Sequence, residues 1–383
     1  MLNKNFSASV LPVPAPRPSR HATLAAITLS SVMLAGLWQI IAAASSPDEL
    51  VFPRTWLDFR QGRTTGTLEK QLDKNLPART TLIATANSLR YLLTRGGGDQ
   101  VRVGRDGWLF LTDELKFETD ALTHLNARSQ LFGDAARGLD RQGVKLVIVL
   151  VPDKARLYSG KLTDGQYPAY NLSRYQDSLA ALGKQDVHIV DLLTPLAAAA
   201  SQSQAYYSSD THWNQTGAQI SANAVALAVN KLGIELEKTT FVTTAAGAKI
   251  ERSGDLIRLM GLKDTPSFLR PPSDMELPVV TRQTSVDAAA GLFGDTVVPV
   301  VLTGTSYSLR GNFHGFLQQA LSAKVLNTAK DGGGLLQAVG TYLKDDAFKS
   351  AKPKILVWEV PERFLYAKLD DEFKWLESVR LLP

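Results

Sequence analysis

The sequence contains no cysteine, which excludes disulfide bonds, zinc sites built on thiolates and a cysteine nucleophile. The phosphate-binding patterns GxxxxGK[ST] and GxGxxG are also missing, so nothing indicates nucleotide binding. Histidine is scarce, with 5 residues in a chain of 383, and no histidine-rich or carboxylate-rich motif accompanies it. We therefore expect neither a metal nor a cofactor.

The charge balance excludes another class of function. The formal net charge is +5, but lysine and arginine do not alternate with aromatic residues in one basic cluster, as a nucleic-acid-binding surface would require. Hydrophobic residues make up 44% of the chain, which is enough for a large buried core. The composition is that of a globular protein with no nucleic-acid partner.

The N-terminal part of the chain changes abruptly in composition. Residues 1–21 contain proline, serine and basic residues without an apolar period, which predicts a disordered cytoplasmic tail. Residues 22–45 carry no charge and are long enough to cross a hydrocarbon layer of about 30 Å as a helix. Basic residues precede this run and acidic residues follow it, which predicts a single transmembrane signal anchor in the inner membrane. A signal peptide cleaved near the alanines at 42–44 and a buried core helix remain as alternatives.

The remainder divides into a linker and one domain. Residues 46–100 carry leucines at helical spacing and end at a triple glycine, which predicts a helical linker. Residues 101–383 are expected to form one domain, which starts with a hairpin around Arg105-Asp106-Gly107. Within the domain, residues 233–296 have four prolines and few apolar runs. They are predicted to be an irregular insertion that covers the site or contacts a partner.

Four apolar runs rich in β-branched residues predict strands that are buried on both faces. These runs are residues 144–152, 187–192, 297–303 and 354–361. Helical patterns lie between them, and such alternation predicts a three-layer α/β fold with a mainly parallel sheet. In such sheets, functional sites form at the carboxyl ends of the strands.

Two short stretches indicate chemistry at that edge. Asp210 and His212 stand two residues apart ahead of a helix, so in an extended chain their side chains point to the same side. Ser306 follows a buried strand through Gly304, as a nucleophile at a helix N-terminus does. We predict that Ser306 is the nucleophile, His212 its general base and Asp210 the carboxylate that orients the base. The structural alternatives are a helix cap for the serine and a hydrogen-bonded or metal-binding role for the acid and histidine.

Neighbouring side chains are candidates for lining the site. We predict that Trp213, Tyr307 and Arg310 bind substrate. Asp153 and Lys154 follow a predicted buried strand and are further candidates.

Five short motifs resemble, in order, those of the SGNH-hydrolase-like polysaccharide O-acetyltransferases typified by the alginate acetylation proteins AlgJ and AlgX. The motifs are Gly107-Trp-Leu-Phe110, Val151-Pro-Asp-Lys154, Asp210-Thr-His-Trp213, Gly304-Thr-Ser-Tyr-Ser308 and Trp358-Glu-Val-Pro-Glu-Arg363. The resemblance covers roughly residues 100–365 and implies an SGNH-hydrolase-like fold. It also implies a triad of Asp210, His212 and Ser306 in reverse order to ordinary SGNH esterases, hence a permuted topology.

The resemblance implies a function at the inner membrane. Such proteins work in the periplasm and move acetyl groups onto hydroxyls of an exopolysaccharide such as alginate or acetylated cellulose. With such a substrate, the ring of Trp213 or Tyr307 would suit a platform for a sugar. The acetyl group is expected to arrive through a membrane-bound O-acyltransferase partner. The chain is too short beyond the catalytic region for the carbohydrate-binding module of AlgX, so the AlgJ type is the better match. A carbohydrate acetylesterase with the same triad and a non-catalytic scaffold of a polysaccharide-secretion complex are the alternatives.

Overall fold

A computed structural model gives the arrangement of most of the chain. It describes residues 20–44, 55–62, 66, 70, 79–284 and 298–369. The chain divides into two compact units, residues 1–85 and 86–383. The cytoplasmic tail predicted over residues 1–21 falls almost entirely outside the described residues.

The first unit contains helix α1, Arg20–Ala44, and the short helix α2, Trp56–Arg60. Within the described part of the chain, no helix combines the length and the apolar character needed to cross a membrane. The anchor over residues 22–45 therefore stays a prediction. Helix α3, Arg79–Thr94, forms the end of the expected linker.

The second unit is built from alternating strands and helices. Its strands are β1 (Val101–Val103), β2 (Leu109–Leu111), β3 (Lys145–Val151), β4 (His188–Asp191), β5 (Phe241–Ala245), β6 (Ile250–Arg252), β7 (Asp274–Glu276), β8 (Val279–Gln283), β9 (Val300–Thr303), β10 (Val325–Asn327) and β11 (Ile355–Pro361). Its helices are α4 (Ala121–Asp140), α5 (Lys154–Leu157), α6 (Arg174–Gly183), α7 (Leu193–Ala200), α8 (Gln215–Lys231), α9 (Asp255–Leu259), α10 (Phe313–Leu321), α11 (Gln337–Lys344), α12 (Asp346–Ser350) and α13 (Glu362–Tyr366).

The central sheet has five strands in the order β10, β9, β11, β3, β4, and all neighbouring strands are parallel. The four predicted buried strands appear in it as β3, β4, β9 and β11. Strand β10 was not predicted, because three residues are too few to form a recognisable apolar run. The prediction of a mainly parallel sheet is confirmed.

Successive residues of the central strands point to opposite faces of the sheet, and both faces are buried. Val147, Val149 and Val151 pack in a core with helices α8 and α10. Leu146, Ile148 and Leu150 pack in a second core with α4, α6 and α11. Because both sets are apolar, β3 is a continuous hydrophobic run, and the fold has three layers.

The β1–β2 hairpin pairs Val101 with Leu111 and Val103 with Leu109. Its turn contains Asp106 at φ 54° and Gly107 at φ 78°. These are left-handed backbone conformations, which asparagine, aspartate and glycine tolerate best. The hairpin prediction is therefore confirmed, including the position of its turn.

The segment predicted to be an irregular insertion, residues 233–296, is ordered over the residues described. Strands β5 and β8 form one antiparallel sheet, and β6 and β7 form a second. The four prolines stand outside these strands, where they leave the backbone hydrogen bonds intact. The expectation of an irregular loop is therefore wrong for residues 233–284, because short strands between prolines give no clear periodic signal.

Candidate active site

The loop that precedes α8 holds the predicted acid and base. Nδ1 of His212 lies 2.5 Å from Oδ1 of Asp210, and the His212 backbone N–H donates to the same oxygen at 3.0 Å. An ionised carboxylate only accepts hydrogen bonds, so Nδ1 carries the hydrogen and Nε2 remains an acceptor. Both side chains are buried. The imidazole is thus held in the tautomer that a general base requires.

The predicted nucleophile faces that base. Ser306 follows β9 and opens a 3₁₀ turn, Ser306–Leu309. Its Oγ lies 2.6 Å from Nε2 of His212, across 94 residues of sequence. The cap of the turn is Thr305, whose hydroxyl accepts from the Tyr307 N–H at 3.3 Å. The serine hydroxyl is therefore not used as a cap and is aligned to give its proton to the histidine.

The second oxygen of Asp210 is bound by residues further along the chain. Oδ2 accepts from the Arg252 guanidinium at 3.2 Å and from the Asp255 N–H at 3.1 Å. Burial alone would raise the pKa of Asp210. The hydrogen bond and charge of His212 and the charge of Arg252 outweigh it and hold this pKa well below its usual range. Asp210 is therefore ionised at neutral pH and can stabilise an imidazolium at His212.

Comparison with known proteins identifies the fold that carries this site. Residues 101–362 match the family model of the SGNH hydrolase-like domain, acetyltransferase AlgX. The chain belongs to this AlgX family. A probable alginate O-acetylase AlgJ from Pseudomonas syringae pv. tomato is 32% identical over 366 residues, which cover 93% of this chain and 91% of that protein. The alginate biosynthesis protein AlgX of Pseudomonas putida is 31% identical over 288 residues, 72% of this chain and 58% of that protein.

A solved structure supports the same assignment. The O-acetyltransferase domain of Pseudomonas putida AlgJ is 33% identical and superposes with a TM-score of 0.65. The match covers 73% of this chain and 98% of that domain. The resemblance drawn from the five sequence motifs is thus confirmed at the level of the AlgX family, which is a family of acetyltransferases.

In this member of the AlgX family, a buried carboxylate fixes the nucleophile turn. Glu359, from the middle of β11, accepts from the Thr305 N–H at 2.8 Å, from the Thr305 hydroxyl at 2.9 Å and from the Ser308 hydroxyl at 3.2 Å. Gly304 lies against it at φ 146°, where a Cβ would stand 2.8 Å from the Glu359 carboxylate. Any side chain at position 304 would push the turn away, so glycine is required for Ser306 to reach the base.

A buried lysine fixes the loop that carries the acid and base. Lys154 is fully buried, and its Nζ donates to the backbone oxygens of Leu109 at 2.6 Å, Ser208 at 2.9 Å and Asp210 at 2.8 Å. Burial lowers the pKa of Lys154 to about 8, so the ammonium is still charged at neutral pH. All three of its hydrogens are used, which gives it a structural role beneath the site.

The carboxylate of Asp274 holds the same loop from another side. Asp274 accepts hydrogen bonds from the backbone N–H and hydroxyl groups of both Ser208 and Ser209, at 2.6 to 2.9 Å. Together with Lys154, it ties the residues immediately before Asp210 to two other parts of the domain.

The structure does not bear out the aromatic residues as sugar platforms. Trp213 and Tyr307 are both 0% exposed. Trp213 Nε1 donates to the Arg310 backbone oxygen at 3.3 Å, and the Tyr307 hydroxyl donates to the Thr211 backbone oxygen at 2.9 Å. The Tyr307 ring packs against the His212 ring at a centroid distance of 4.8 Å, and the Trp213 ring packs against Tyr307 at 5.0 Å. The Arg310 side chain is part-exposed and pairs with Asp331 at 2.7 Å, and its role in substrate binding stays a prediction.

The acid and base also form a cluster that could ligate a metal. One ligand atom each from Asp210, His212 and Asp255 lie within 4.8 Å of one another. However, the Nδ1 hydrogen bond and the Arg252 guanidinium already occupy the two oxygens of Asp210. This arrangement matches an oriented general base better than a cation site, where an adjacent guanidinium would repel the ion.

The paired state of Asp210 predicts a pH dependence of stability. Because its folded pKa lies below the ordinary value of 3.8, Asp210 stabilises the fold above about pH 4, and this contribution is lost as the pH falls further. Asp210→Asn should lower the free energy of unfolding by about 2 kcal/mol at pH 7. The difference from wild type should shrink in melts recorded from pH 5 down to 3. The exposed Asp164→Asn is the control, and a difference that does not change with pH would contradict the prediction.

Proposed function

We propose that the chain is an O-acetyltransferase that forms an acetyl-serine at Ser306 and passes the acetyl group to hydroxyls of an exopolysaccharide. The observation that carries this proposal is the continuous hydrogen-bonded series from Asp210 through His212 to Ser306. Relatives of similar length are named probable alginate O-acetylase, so we infer that alginate or a similar polymer is the acceptor. The order acid, base, serine along the chain is the reverse of that in ordinary SGNH esterases.

The proposed reaction has two displacements. Ser306 Oγ attacks the carbonyl carbon of the acetyl donor while His212 Nε2 takes the hydroxyl proton. The tetrahedral intermediate collapses, and the leaving group departs with that proton. A sugar hydroxyl then attacks acetyl-Ser306, gives its proton to Nε2, and Ser306 leaves as a neutral hydroxyl when the proton is returned. Asp210 stays ionised and stabilises the imidazolium in both halves. We assign the Ser306 N–H as one donor to the oxyanion.

Intact-mass spectrometry of the full chain with p-nitrophenyl acetate tests this proposal. We expect one acetyl adduct, located on Ser306 by peptide mapping, together with release of nitrophenol. Addition of unacetylated polymannuronate should speed loss of the adduct and yield acetylated polymer. Loss of the adduct to water alone, with no acetylated polymer, would indicate an acetylesterase. A chain that never acquires the adduct would point to a non-catalytic scaffold.

We propose further that α1 is a membrane anchor. The catalytic unit, which is the second unit of residues 86–383, would then lie in the periplasm, where a membrane-bound O-acyltransferase delivers the acetyl group. This rests on the uncharged run over residues 22–45, the basic residues before it and the exposure of its apolar side chains, such as Leu34 and Trp38. Protease added to spheroplasts should digest the catalytic unit while sparing a cytoplasmic marker. Full protection would contradict this location.

A further inference from the structure

The strand β6 and the helix α9 place two charged residues beside the acid and base. We propose that Arg252 is a positioning residue for the acetyl-transfer reaction: its guanidinium holds Asp210 against His212 and offsets the negative charge that Asp210 and Asp255 place beside the imidazole. This inference rests on the proposed function. The segment that supplies both residues was expected to be an irregular insertion, and no sequence motif pointed to either.

Arg252 is held from several sides. Besides Asp210 at 3.2 Å, its guanidinium contacts Glu276 at 3.3 Å and stacks on the ring of Tyr207 at 4.7 Å. The side chain is 26% exposed and therefore mostly desolvated. A planar guanidinium can pair with two carboxylates and stack on a ring at the same time, which a lysine ammonium cannot do. The Arg252 guanidinium thus fixes Oδ2 of Asp210, while Oδ1 faces Nδ1 of His212.

The turn between β6 and α9 packs directly on the catalytic loop. A Cβ at Gly254 would lie 2.0 Å from the backbone oxygen of Ser209 and 2.7 Å from the Asp210 nitrogen. The absence of a side chain at Gly254 therefore brings the Asp255 N–H to the Asp210 carboxylate. This contact makes the turn part of the site and not a distant support.

The charges that face His212 explain the need for an arginine. Asp210 lies at 2.5 Å from Nδ1 and Asp255 at 3.7 Å, while the Tyr307 ring and the Ser306 hydroxyl are uncharged neighbours. The nearby cations are Arg252 and the buried Lys154, which binds the Asp210 backbone. Without Arg252, these two carboxylates and Glu276, which would lose its arginine partner, would have no guanidinium to offset them, and this favours the imidazolium over the neutral base.

Removing the charge of Arg252 and removing the charge of Asp255 should therefore move the acidic limb of the pH–rate profile in opposite directions. Removing the positive charge of Arg252 favours the imidazolium, so the acidic limb of the pH–rate profile should move up by on the order of one pH unit. Removing the negative charge of Asp255 should move this acidic limb to lower pH. That shift should be smaller, because burial and the charge of Asp210 raise the pKa of Asp255, so its negative charge is less favoured than that of an exposed aspartate. A residue with a purely structural role would lower the rate without moving the limb.

The test is the pH dependence of kcat/KM for p-nitrophenyl acetate between pH 5 and 8.5, measured on the full chain. For Arg252→Gln we expect the upward shift and roughly a 10-fold lower kcat with little change in KM. Arg252→Lys should keep the limb near that of wild type while losing rate. Arg258→Gln removes an exposed arginine from the same segment and should match wild type. Asp255→Asn should show the downward shift.

The outcomes separate this inference from the proposed function. If wild-type turnover depends on Ser306 but the acidic limb is unshifted in both Arg252 variants, the proposed role of Arg252 is overturned and the proposed function stands. Absence of Ser306-dependent turnover in wild type would overturn the proposed function and this inference with it. If Arg252→Gln does not fold, the sign of the shift in Asp255→Asn decides, and a limb that fails to move down would count against the charge balance.

Discussion

Replacing Ser306 by alanine is expected to lower the rate of p-nitrophenyl acetate turnover by on the order of 10³-fold or more and to abolish the acetyl adduct. The Ser306 hydroxyl lies 2.6 Å from its base, and no other hydroxyl in the described residues is paired with His212. Alanine leaves the turn intact, because Thr305 and Glu359 hold it through other atoms. The loss therefore falls on the chemical step and not on the fold.

Double variants distinguish a working triad from independent contributions. If Ser306, His212 and Asp210 act as one unit, Ser306→Ala combined with His212→Ala should be no slower than Ser306→Ala alone. Ser173→Ala, an exposed serine whose side chain caps no helix, is the matched control and should retain wild-type turnover. Melting curves would confirm that each variant is folded. Multiplicative losses in the double variant, or an adduct that persists in Ser306→Ala, would reject the triad.

The sequence was most informative where the determinants are local. Asp210 and His212 are two residues apart, and their side chains meet as the sequence predicted, although the chain bends at these residues and is not extended there. Ser306 was located by the strand and glycine immediately before it. The same reasoning predicted the four buried strands, because each has apolar residues on both faces.

The aromatic residues next to the catalytic residues misled the prediction. Trp213 follows His212 directly, and Tyr307 follows Ser306 directly. Ser306 and Tyr307 lie in a 3₁₀ turn, and the chain bends at His212, so successive side chains point in different directions. When the histidine and serine face the site, the next residue faces the core, and both rings are buried. Adjacency in sequence to a catalytic residue therefore did not place either ring at the site surface.

The residues that support the triad could not be predicted from the sequence, with one exception. Arg252, Asp255 and Asp274 reach the catalytic loop from 42 to 66 positions away, on strands and a helix too short to show a period. Glu359 did carry a signal, because a carboxylate in the middle of an apolar strand must have buried partners. The five motifs that resemble the AlgX family include Lys154 and Glu359, which suggests that they describe the support of the site as much as its chemistry.

Replacing Lys154 by methionine is expected to destabilise the domain by about 3 kcal/mol or more. Methionine fills a similar space, but it leaves the backbone oxygens of Leu109, Ser208 and Asp210 buried without a donor. Each such oxygen costs roughly 1 to 3 kcal/mol, and the relief from burying an ammonium offsets only part of this. Because one of these oxygens belongs to Asp210, turnover should also fall by about 10-fold or more.

Urea unfolding and thermal melting of the full chain measure this effect, with a drop in Tm of about 6 °C or more expected for a domain of this size. Lys145→Met is the matched control, because Lys145 is part-exposed and pairs with Asp140 at the surface. Its loss should cost at most about 1 kcal/mol. A Lys154→Met variant as stable as this control would mean that water or a backbone shift satisfies the three oxygens. If it were stable yet inactive, Lys154 would have to act in the reaction itself, in contradiction to the structural role assigned to it.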